Sequence, residues 1–371
     1  MRHTLEEVDK FFDLYLIVVG MHLRSEFGLT AKEVVKDGFK VAAWINTHSP
    51  HPGPNDMAKI LGLTISGVAK EISRLKPDLI LVLGDRGEEL AGAAVGAYLN
   101  IPVAHLHGGD QGDDGAHIDE SIRHAITKFA HIHLPATKRS AERIIKMGEE
   151  KWRVHVIGSP ALIEILAGHF LSRKELAKKF KLDFKQPLIL VIQHPVSTEI
   201  GQAGWQMEQT LRVLADLKEQ TVLIYPNSDA GSGEMIKIIK KYKNEPWLRI
   251  FKSLPRQEYL SLMKNSSVMV GNSSSGSIDS SSFKIPVVNV GTRESTRENG
   301  GNKIFVSHNQ AEIKKAIKRA LFDEKLIQRI KQCRSPYGDG KTHKRIIKII
   351  NSYFPLTENR RQKLLIKKLS Y

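Results

Sequence analysis

The chain has 371 residues, 41% of them hydrophobic, and this length exceeds the range in which one core keeps growing, so two domains are expected. A single cysteine, Cys333, excludes an internal disulfide framework and a cysteine-rich zinc module. No apolar stretch approaches the 18 residues of a membrane span, and the N-terminal residues do not resemble a signal peptide. We therefore expect a cytoplasmic protein with no membrane partner.

The net charge is +16, from 56 Lys and Arg against 40 Asp and Glu. Such an excess suits nucleic acid, an anionic membrane surface or a phosphorylated small substrate. In segments such as 309–320 the cations recur at helical spacing, which is typical of a solvated helix face, and no aromatic-basic stripe indicates nucleic acid. The basic segment 353–371 could contact a membrane, but packing of a C-terminal helix onto the protein is favoured. We expect no nucleic-acid partner.

Short Val- and Ile-rich runs, ended by Gly, Pro or Asn, alternate with amphipathic helix-length segments, which is the pattern of parallel βαβ units. The runs predicted as strands are 12–20, 40–46, 79–85, 102–109, 131–137, 154–160, 187–195, 221–228, 248–253, 268–275 and 286–291. The fold class is therefore α/β, with two doubly wound Rossmann-like domains that face a cleft. We assign 1–168 to the first domain, 169–352 to the second and 353–371 to a C-terminal basic helix.

The densest polar motif is HLHGGDQGDDGAHIDESIRH, residues 105–124. It could be a metal site, an acid/base site or a solvated loop, and its H-x-H spacing is too unspecific to indicate a metal. His105 and His107 alternate along a predicted strand and should share a face, while Asp119 and Glu120 should begin a helix. Carboxylates that meet in a water-poor cleft push each other's pKa values apart, so an acid/base site is the better interpretation.

A serine-rich segment, 270–293, follows a predicted strand. A helix beginning near Gly276, with Ser273, Ser274 and Ser275 before it, would form a diphosphate cradle; a Ser-rich cap or linker is the alternative. Asp279, one turn into that helix, could accept hydrogen bonds from ribose hydroxyls or be an ordinary first-turn charge.

Other polar residues also follow strands, where ligands of such sheets bind. His194 could bind phosphate or move protons. Each of the others has a structural alternative, an Asx-turn or a helix cap. They are Asp85, Arg86, His22, Asn227 and Asp229.

One feature departs from the pattern of a doubly wound domain, which normally opens with a strand and a Gly-rich turn. This chain opens on the helix-like segment TLEEVDKFF and runs directly into the strand at 12–20. The expected first strand and its phosphate loop are absent.

The motifs GDR, HGGDQGDDGAHIDESIRHAITK, HPVSTE, YPNSDAGS and GNSSSGSIDSSSFKIPVVNVGTR, in this order, together resemble the hydrolysing UDP-N-acetylglucosamine 2-epimerases of sialic-acid-type sugar biosynthesis. The resemblance covers most of the chain. It implies a glycosyltransferase-B-like fold that holds UDP mainly in the second domain, and no metal or organic cofactor. It also implies abstraction of the sugar C2 proton, loss of UDP to a glycal and addition of water, which gives N-acetylmannosamine. A homo-oligomer, a dimer or a tetramer, is expected.

The resemblance carries roles over to matching positions. It implies that the catalytic groups are Asp85, Asp119, Glu120 and His194, and that the substrate-binding groups include Asn227, Ser273, Ser274, Asp279 and Arg293. Asp279 stands where the family usually has Glu.

Two departures bear on activity. Many relatives carry Glu at the position of His107, so either His107 or the nearby Asp110 would be the acid or base, and we favour Asp110 sharing the role. The loop from Asp110 to Asp119 is longer than usual, with Asp113 and Asp114 added.

The family also begins with a strand and a G-T-R loop that this chain lacks. We expect either a start codon placed too late or a destabilised first domain with weakened UDP binding. A non-hydrolysing epimerase and a catalytically impaired nucleotide-sugar binder are the alternative functions.

Overall fold

A computed structural model of the protein describes residues 1–25, 28–47, 54–112 and 118–368. Eleven strands occur in this part of the chain: β1 Leu16–Val19, β2 Val41–Ile45, β3 Ile80–Leu83, β4 Val103–Leu106, β5 Ile132–Leu134, β6 Ile189–Ile192, β7 Thr221–Ile224, β8 Leu248–Phe251, β9 Val268–Gly271, β10 Val287–Val290 and β11 Lys303–Val306. The helices that alternate with them place the chain in the α/β class, as predicted.

The helices of the first half are α1 Arg2–Asp9, α2 Ala31–Lys36, α3 Pro54–Leu75, α4 Gly87–Tyr98, α5 Ile118–Phe129, α6 Lys138–Lys146, α7 Ala161–Ala167 and α8 Arg173–Phe180. Those of the second half are α9 Ala203–Leu217, α10 Ser232–Lys241, α11 Arg256–Asn265, α12 Ser275–Ile278, α13 Ser280–Phe283, α14 Gln310–Phe322, α15 Glu324–Lys331, α16 Thr342–Tyr353 and α17 Glu358–Leu365. Within the described ranges, no helix combines the length and the apolar character needed to cross a membrane.

The second sheet has six parallel strands in the order β11-β10-β9-β6-β7-β8. Its central strands β6, β9 and β10 are buried along their whole length, because helices cover both faces of a doubly wound sheet and leave no side for polar residues. Gly271 ends β9 with a φ of 129°, and a Cβ there would lie 2.0 Å from the carbonyl oxygen of Ile192. Only glycine allows β9 and β6 to approach each other so closely at their carboxyl ends.

The N-terminal strands form two separate parallel sheets, β1-β2 and β3-β4-β5. No strand of the described residues joins β1 to β3. Helix α3 packs on both sheets, since its Val68 and Ile72 share one core with Ile45 of β2 and with Val82 of β3. In the first domain, packing of α3 therefore joins the two sheets, whereas in a continuous sheet backbone hydrogen bonds would join them.

Two strand predictions differ from the structure. The run 154–160 forms only an isolated bridge between His133 and Val154, because it then turns away through Gly158, whose φ is 83°. The strand β11 was not predicted, since its Lys303 interrupts the apolar pattern.

Helices α7 and α16 indicate where the chain passes from one half of the protein to the other. Leu162 and Ile165 of α7 belong to the core under β6, whereas Ile346 and Ile350 of α16 pack against β4 and β5. We therefore propose crossings at 158–160 and 337–341, where Ser159 donates its backbone N–H to the carbonyl oxygen of Tyr337 at 2.7 Å.

The segment after α16 returns to the N-terminal half. Arg153 donates to the carbonyl oxygens of Leu364 and Ile366 at 2.7 and 2.6 Å. The ammonium group of Lys367 donates to the carbonyl oxygens of Lys128 and Ala130, at the C-terminal end of α5, at 2.8 and 2.7 Å. Residues 364–367 are thus bonded to Arg153 and to the C-terminal end of helix α5.

Candidate active site

The two halves of the chain enclose a cavity of about 360 Å³ at the carboxyl ends of β3, β4 and β9. Its lining comes from both halves and contains Met1, Leu83, Gly84, Asp85, His107, Asp110, Arg123, Ser159, Pro160, Ala161, Glu164, Arg256, Ser274, Ser275, Ile278, Asp279, Arg293 and Arg297. Four arginines and four carboxylates face this one space. We call it the cleft cavity.

Asp85, directly after β3, is bonded to the guanidinium group of Arg123 from helix α5. The same guanidinium donates to Glu120 at 2.7 Å and to the carbonyl oxygen of Asp110 at 3.0 Å. Burial would raise the pKa of Asp85, but the charges of Arg123 and Arg297 outweigh it and hold the pKa well below its ordinary value. Asp85 is therefore ionised at neutral pH.

Asp85 does not cap helix α4, which was the structural alternative for the GDR motif. The N-cap residue of α4 is Arg86, and no side chain caps that helix. Arg86 instead donates to Asp229 of the second half at 2.9 Å. This motif therefore contributes one side chain to the cavity and another to a bond that bridges the two halves.

Asp110 is buried and accepts a 2.6 Å hydrogen bond from Arg297, which comes from the second half. Arg297 also forms a 2.7 Å ion pair with Glu294. Arg297 therefore orients Asp110 in the cavity just as Arg123 orients Asp85.

His107 lies between these carboxylates, in a conformation that the alternating strand pattern did not predict. Strand β4 ends at Leu106, and His107 takes a left-handed φ of 63°. The expectation that His105 and His107 share one face of a strand is therefore wrong: His105 is buried against the carbonyl oxygen of Gly84 at 2.7 Å, and only His107 lines the cavity.

Burial lowers the pKa of His107 to about 4. Its ring is therefore neutral at neutral pH. The Nε2 atom is buried and has no hydrogen-bond partner among the described residues. His107 can thus accept or donate one proton toward a molecule in the cavity.

Arg293 of the second half contacts Asp119, one of the two acids that begin helix α5. It donates to the carbonyl oxygen of Asn272 at 2.8 Å and contacts Asp119 at 3.5 Å. Asp119 and Glu120 stand behind the cavity wall, and Glu120 also accepts the backbone N–H of Gly112 at 2.6 Å. Each acid contacts an arginine that lines the cavity, Asp119 through Arg293 and Glu120 through Arg123.

The serine-rich segment forms two four-residue helices, α12 and α13, which meet at Asp279. Ser274 and Ser275 line the cavity, and Ser273 is 3.1 Å from Ser275. Gly276 does not line the cavity. It packs against β10, and a Cβ on Gly276 would lie 3.1 Å from the side chain of Val287. The helix begins near Gly276 as predicted, at Ser275, but the single predicted helix is in fact two.

Asp279 lines the cavity and pairs with Arg256, the first residue of α11, at 3.0 Å. The same arginine contacts Glu164 of α7 at 3.3 Å. The ring of Tyr259 lies 5.5 Å from the guanidinium, and its hydroxyl donates to Ser275 at 2.6 Å. The second half therefore presents hydroxyls, a carboxylate and a cation at this end of the cavity.

Nine of the sixteen predicted site residues do not line the cavity: Asp119, Glu120, Arg86, Ser273, Gly276, His194, Asn227, Asp229 and His22. His194 accepts the backbone N–H of Asn227 at 3.0 Å, and the backbone N–H of Asp229 donates to the side chain of Asn227 at 3.3 Å, as in an Asx-turn. His22 is exposed and contacts Thr30 at 2.7 Å. These side chains shape the turns around the cleft. The sequence stretch 113–117, which includes Asp113, Asp114 and His117, is outside the described residues.

Four charged side chains that line the cavity were not predicted as site residues. They are Arg123, Glu164, Arg256 and Arg297. All four occur in helical or polar segments, where charged residues usually face solvent. In the described part of the chain, no group of three His, Cys, Asp or Glu side chains is arranged to hold a metal ion.

Comparison with known proteins agrees with this arrangement. A family model described as UDP-N-acetylglucosamine 2-epimerase matches residues 5–351. A Legionella pneumophila protein described as UDP-N,N'-diacetylbacillosamine 2-epimerase (hydrolyzing) is 35% identical over 354 residues, covering 95% of this chain and 92% of that protein. A Campylobacter jejuni protein described as GDP/UDP-N,N'-diacetylbacillosamine 2-epimerase (hydrolyzing) is 36% identical over 303 residues, covering 80% and 78%.

Among solved structures, the S. aureus MnaA-UDP co-structure matches with a TM-score of 0.78 at 20% identity. The match covers 100% of this chain and 95% of that one. This likeness confirms the expected glycosyltransferase-B-like fold. The extent of the family match and the identity to both curated relatives together show that the chain belongs to the UDP-N-acetylglucosamine 2-epimerase family.

Proposed function

We propose that the protein is a hydrolysing 2-epimerase that acts on UDP-N-acetylglucosamine or a related UDP-diacetamido sugar. The observation that carries this proposal is the lining of the cleft cavity. Two carboxylates and a neutral histidine, Asp85, Asp110 and His107, share one cavity with Ser274 and Asp279. The first set suits proton transfer at a sugar. In the second set, the hydroxyl of Ser274 can donate to a phosphate oxygen and Asp279 can accept hydrogen bonds from ribose hydroxyls.

The reaction needs a base and a leaving group that departs with its electrons. A carboxylate takes the C2 proton, the C1–C2 double bond forms, and the C1–O bond breaks with its electron pair going to UDP. Water then adds, its hydroxyl group to C1 and a proton to C2 from the opposite face. The products are the free 2-epimeric sugar and UDP.

The base is assigned to Asp85 or Asp110, because both carboxylates line the cavity and are oriented there by arginines. A carboxylate is a weak base for a C–H bond, so its efficiency depends on position and on exclusion of water. His107 is assigned the transfer of the second proton, since its neutral ring has an unpartnered nitrogen there.

The relatives support the choice of substrate class. Both curated relatives are described as hydrolysing and as acting on N,N'-diacetylbacillosamine nucleotides, and the family model is described by UDP-N-acetylglucosamine. Both sugars carry an acetamido group at C2, so the same proton abstraction serves either. We therefore propose that the cavity distinguishes the two sugars away from C2.

The test incubates the protein with each UDP-sugar in deuterated water and follows the products by proton NMR. We expect free UDP and a 2-epimeric sugar that carries deuterium at C2. Asp85→Asn and Asp110→Asn should each lower kcat by about 100-fold or more. Asp216→Asn is the matched control, since Asp216 is exposed and pairs with Lys314 outside the cavity lining.

Other outcomes would contradict the proposal. An equilibrium mixture of two UDP-sugars without free UDP would indicate a non-hydrolysing epimerase. Binding of UDP-sugar without turnover would indicate a nucleotide-sugar binder.

A further inference from the structure

The cleft cavity has four arginines, and the geometry shows which of them is available to an anionic ligand. Arg123, Arg293 and Arg297 retain 1%, 11% and 7% of their side-chain surface and are bonded to buried acids or carbonyl groups. Diverting any of them to a ligand would take a hydrogen bond from a buried acid or carbonyl group. These three arginines are committed to the protein.

Arg256 differs in its exposure, since its side chain retains 37% of its surface while it lines the cavity. Its Nη1 donates to Asp279 and its Nε to Glu164. Its Nη2 donates to no acceptor among the described residues. An arginine carries five N–H donors in a planar fork, so donors remain for an incoming oxygen while both existing bonds are kept.

The surroundings of Arg256 match a phosphate group. The hydroxyl of Tyr259 donates to Ser275, and Ser275 and Ser274 stand beside Arg256 in the lining. Asp279, which holds the guanidinium, is the carboxylate to which we assign the ribose hydroxyls. The α-phosphate of a nucleotide is joined to the C5′ atom of the ribose, so a cation bonded to the ribose-binding carboxylate lies within reach of the diphosphate.

We propose that Arg256 is the cation that binds the diphosphate of the nucleotide. The assignment rests on the proposed function and adds to it the residue that neutralises the leaving group. Arginine is suited to this role because its fork binds two phosphate oxygens at once, which lysine cannot do. Arg256 is a binding residue, and it also lowers the barrier to departure of UDP by stabilising the developing negative charge.

The test measures the dissociation constants of UDP and of uridine by calorimetry. Wild-type protein is compared with Arg256→Met and Arg256→Lys. We expect Arg256→Met to weaken UDP binding by about 10- to 100-fold, and to leave uridine binding within about twofold, because uridine has no phosphate. Arg256→Lys keeps the charge and should lose about threefold to tenfold for UDP only.

The matched control is Arg173→Met. Arg173 lies in α8, is stacked over Phe184 at 5.8 Å and bonds Asn265 at 3.0 Å outside the cleft lining. Its replacement removes one positive charge from the same half of the protein, and should leave the affinity for UDP unchanged. An equal loss in Arg173→Met would show that only net charge matters, and would overturn the assignment.

Two further results would also overturn it. Equal losses for UDP and uridine would mean that Arg256 acts only by holding Asp279, and unchanged UDP binding would exclude any contact. If Arg256→Met does not fold, the same two criteria are applied to Arg256→Lys. Wild-type protein that binds no UDP would contradict the proposed function itself, whereas normal wild-type binding with an unaffected variant contradicts only the role of Arg256.

Discussion

Replacing Arg123 by methionine should destabilise the folded protein by about 3–5 kcal/mol, the usual cost of leaving a buried charge without its partner. Arg123 is almost fully buried and bonds the carboxylates of Asp85 and Glu120 together with the carbonyl oxygen of Asp110. Methionine fills similar space but donates no hydrogen bond. The loss is a large share of the total stability of a folded domain, about 5–15 kcal/mol.

The assay is urea unfolding at pH 7 followed by circular dichroism. Arg212→Met is the control, because Arg212 is 55% exposed and pairs with Glu208 on the surface of α9. Its replacement should change the unfolding free energy by about 1 kcal/mol or less. If the cost of Arg123→Met comes from unpaired carboxylates, then adding Glu120→Gln to it should recover part of the loss.

Either of two results would refute this reasoning. A loss below about 1 kcal/mol for Arg123→Met would mean that water reaches the carboxylates and solvates them. A double variant no more stable than the single one would mean that the loss comes from packing around Arg123.

The remaining predictions concern a carboxyl group and a glycine. Burial and the neighbouring Glu88 raise the pKa of Glu89 from 4.5 to about 8, so the folded state binds this proton more tightly and stability falls as pH rises between these values. Glu89→Gln should therefore raise the melting temperature more at pH 9 than at pH 5, and an equal shift at both pH values would contradict the prediction. Gly271→Ala should cost about 3 kcal/mol or more because its Cβ would meet the backbone of Ile192, whereas Gly62→Ala, with no atom within 4 Å, should be neutral or stabilising by about 1 kcal/mol in urea unfolding. Similar losses for both variants would show that the close approach is not the cause.

Most strands could be predicted because a buried parallel strand must be apolar along its length. The runs at β6 and β9 are of this kind, and turn residues end each of them. The same pattern misled at 154–160, where the chain has Val and Ile but forms a single bridge to His133. Local sequence does not say whether a neighbouring strand is in position to pair.

The residues of the candidate site also divide into those that could be predicted from the sequence and those that could not. Acids that follow strands could be expected to meet, since the carboxyl ends of parallel strands share one edge of a sheet. The arginines could not, because Arg123 sits in an amphipathic helix and Arg297 in a loop, where the sequence gives no sign of burial. His107 was predicted on the wrong face of a strand. Alternation of side chains assumes an extended backbone, whereas the φ of His107 is positive.

The attachment of Lys367 and of the segment 364–366 beneath α5 has a consequence for the order of events during synthesis. Helix α5 and the strands β4 and β5 are translated long before residue 364, yet the carbonyl groups at the end of α5 receive the ammonium of Lys367, about 240 residues later. Domains generally fold as units, the N-terminal one first, while the chain is still being made. Here the N-terminal half leaves the ribosome first, and part of its surface stays uncovered until residues 364–367 have been synthesised.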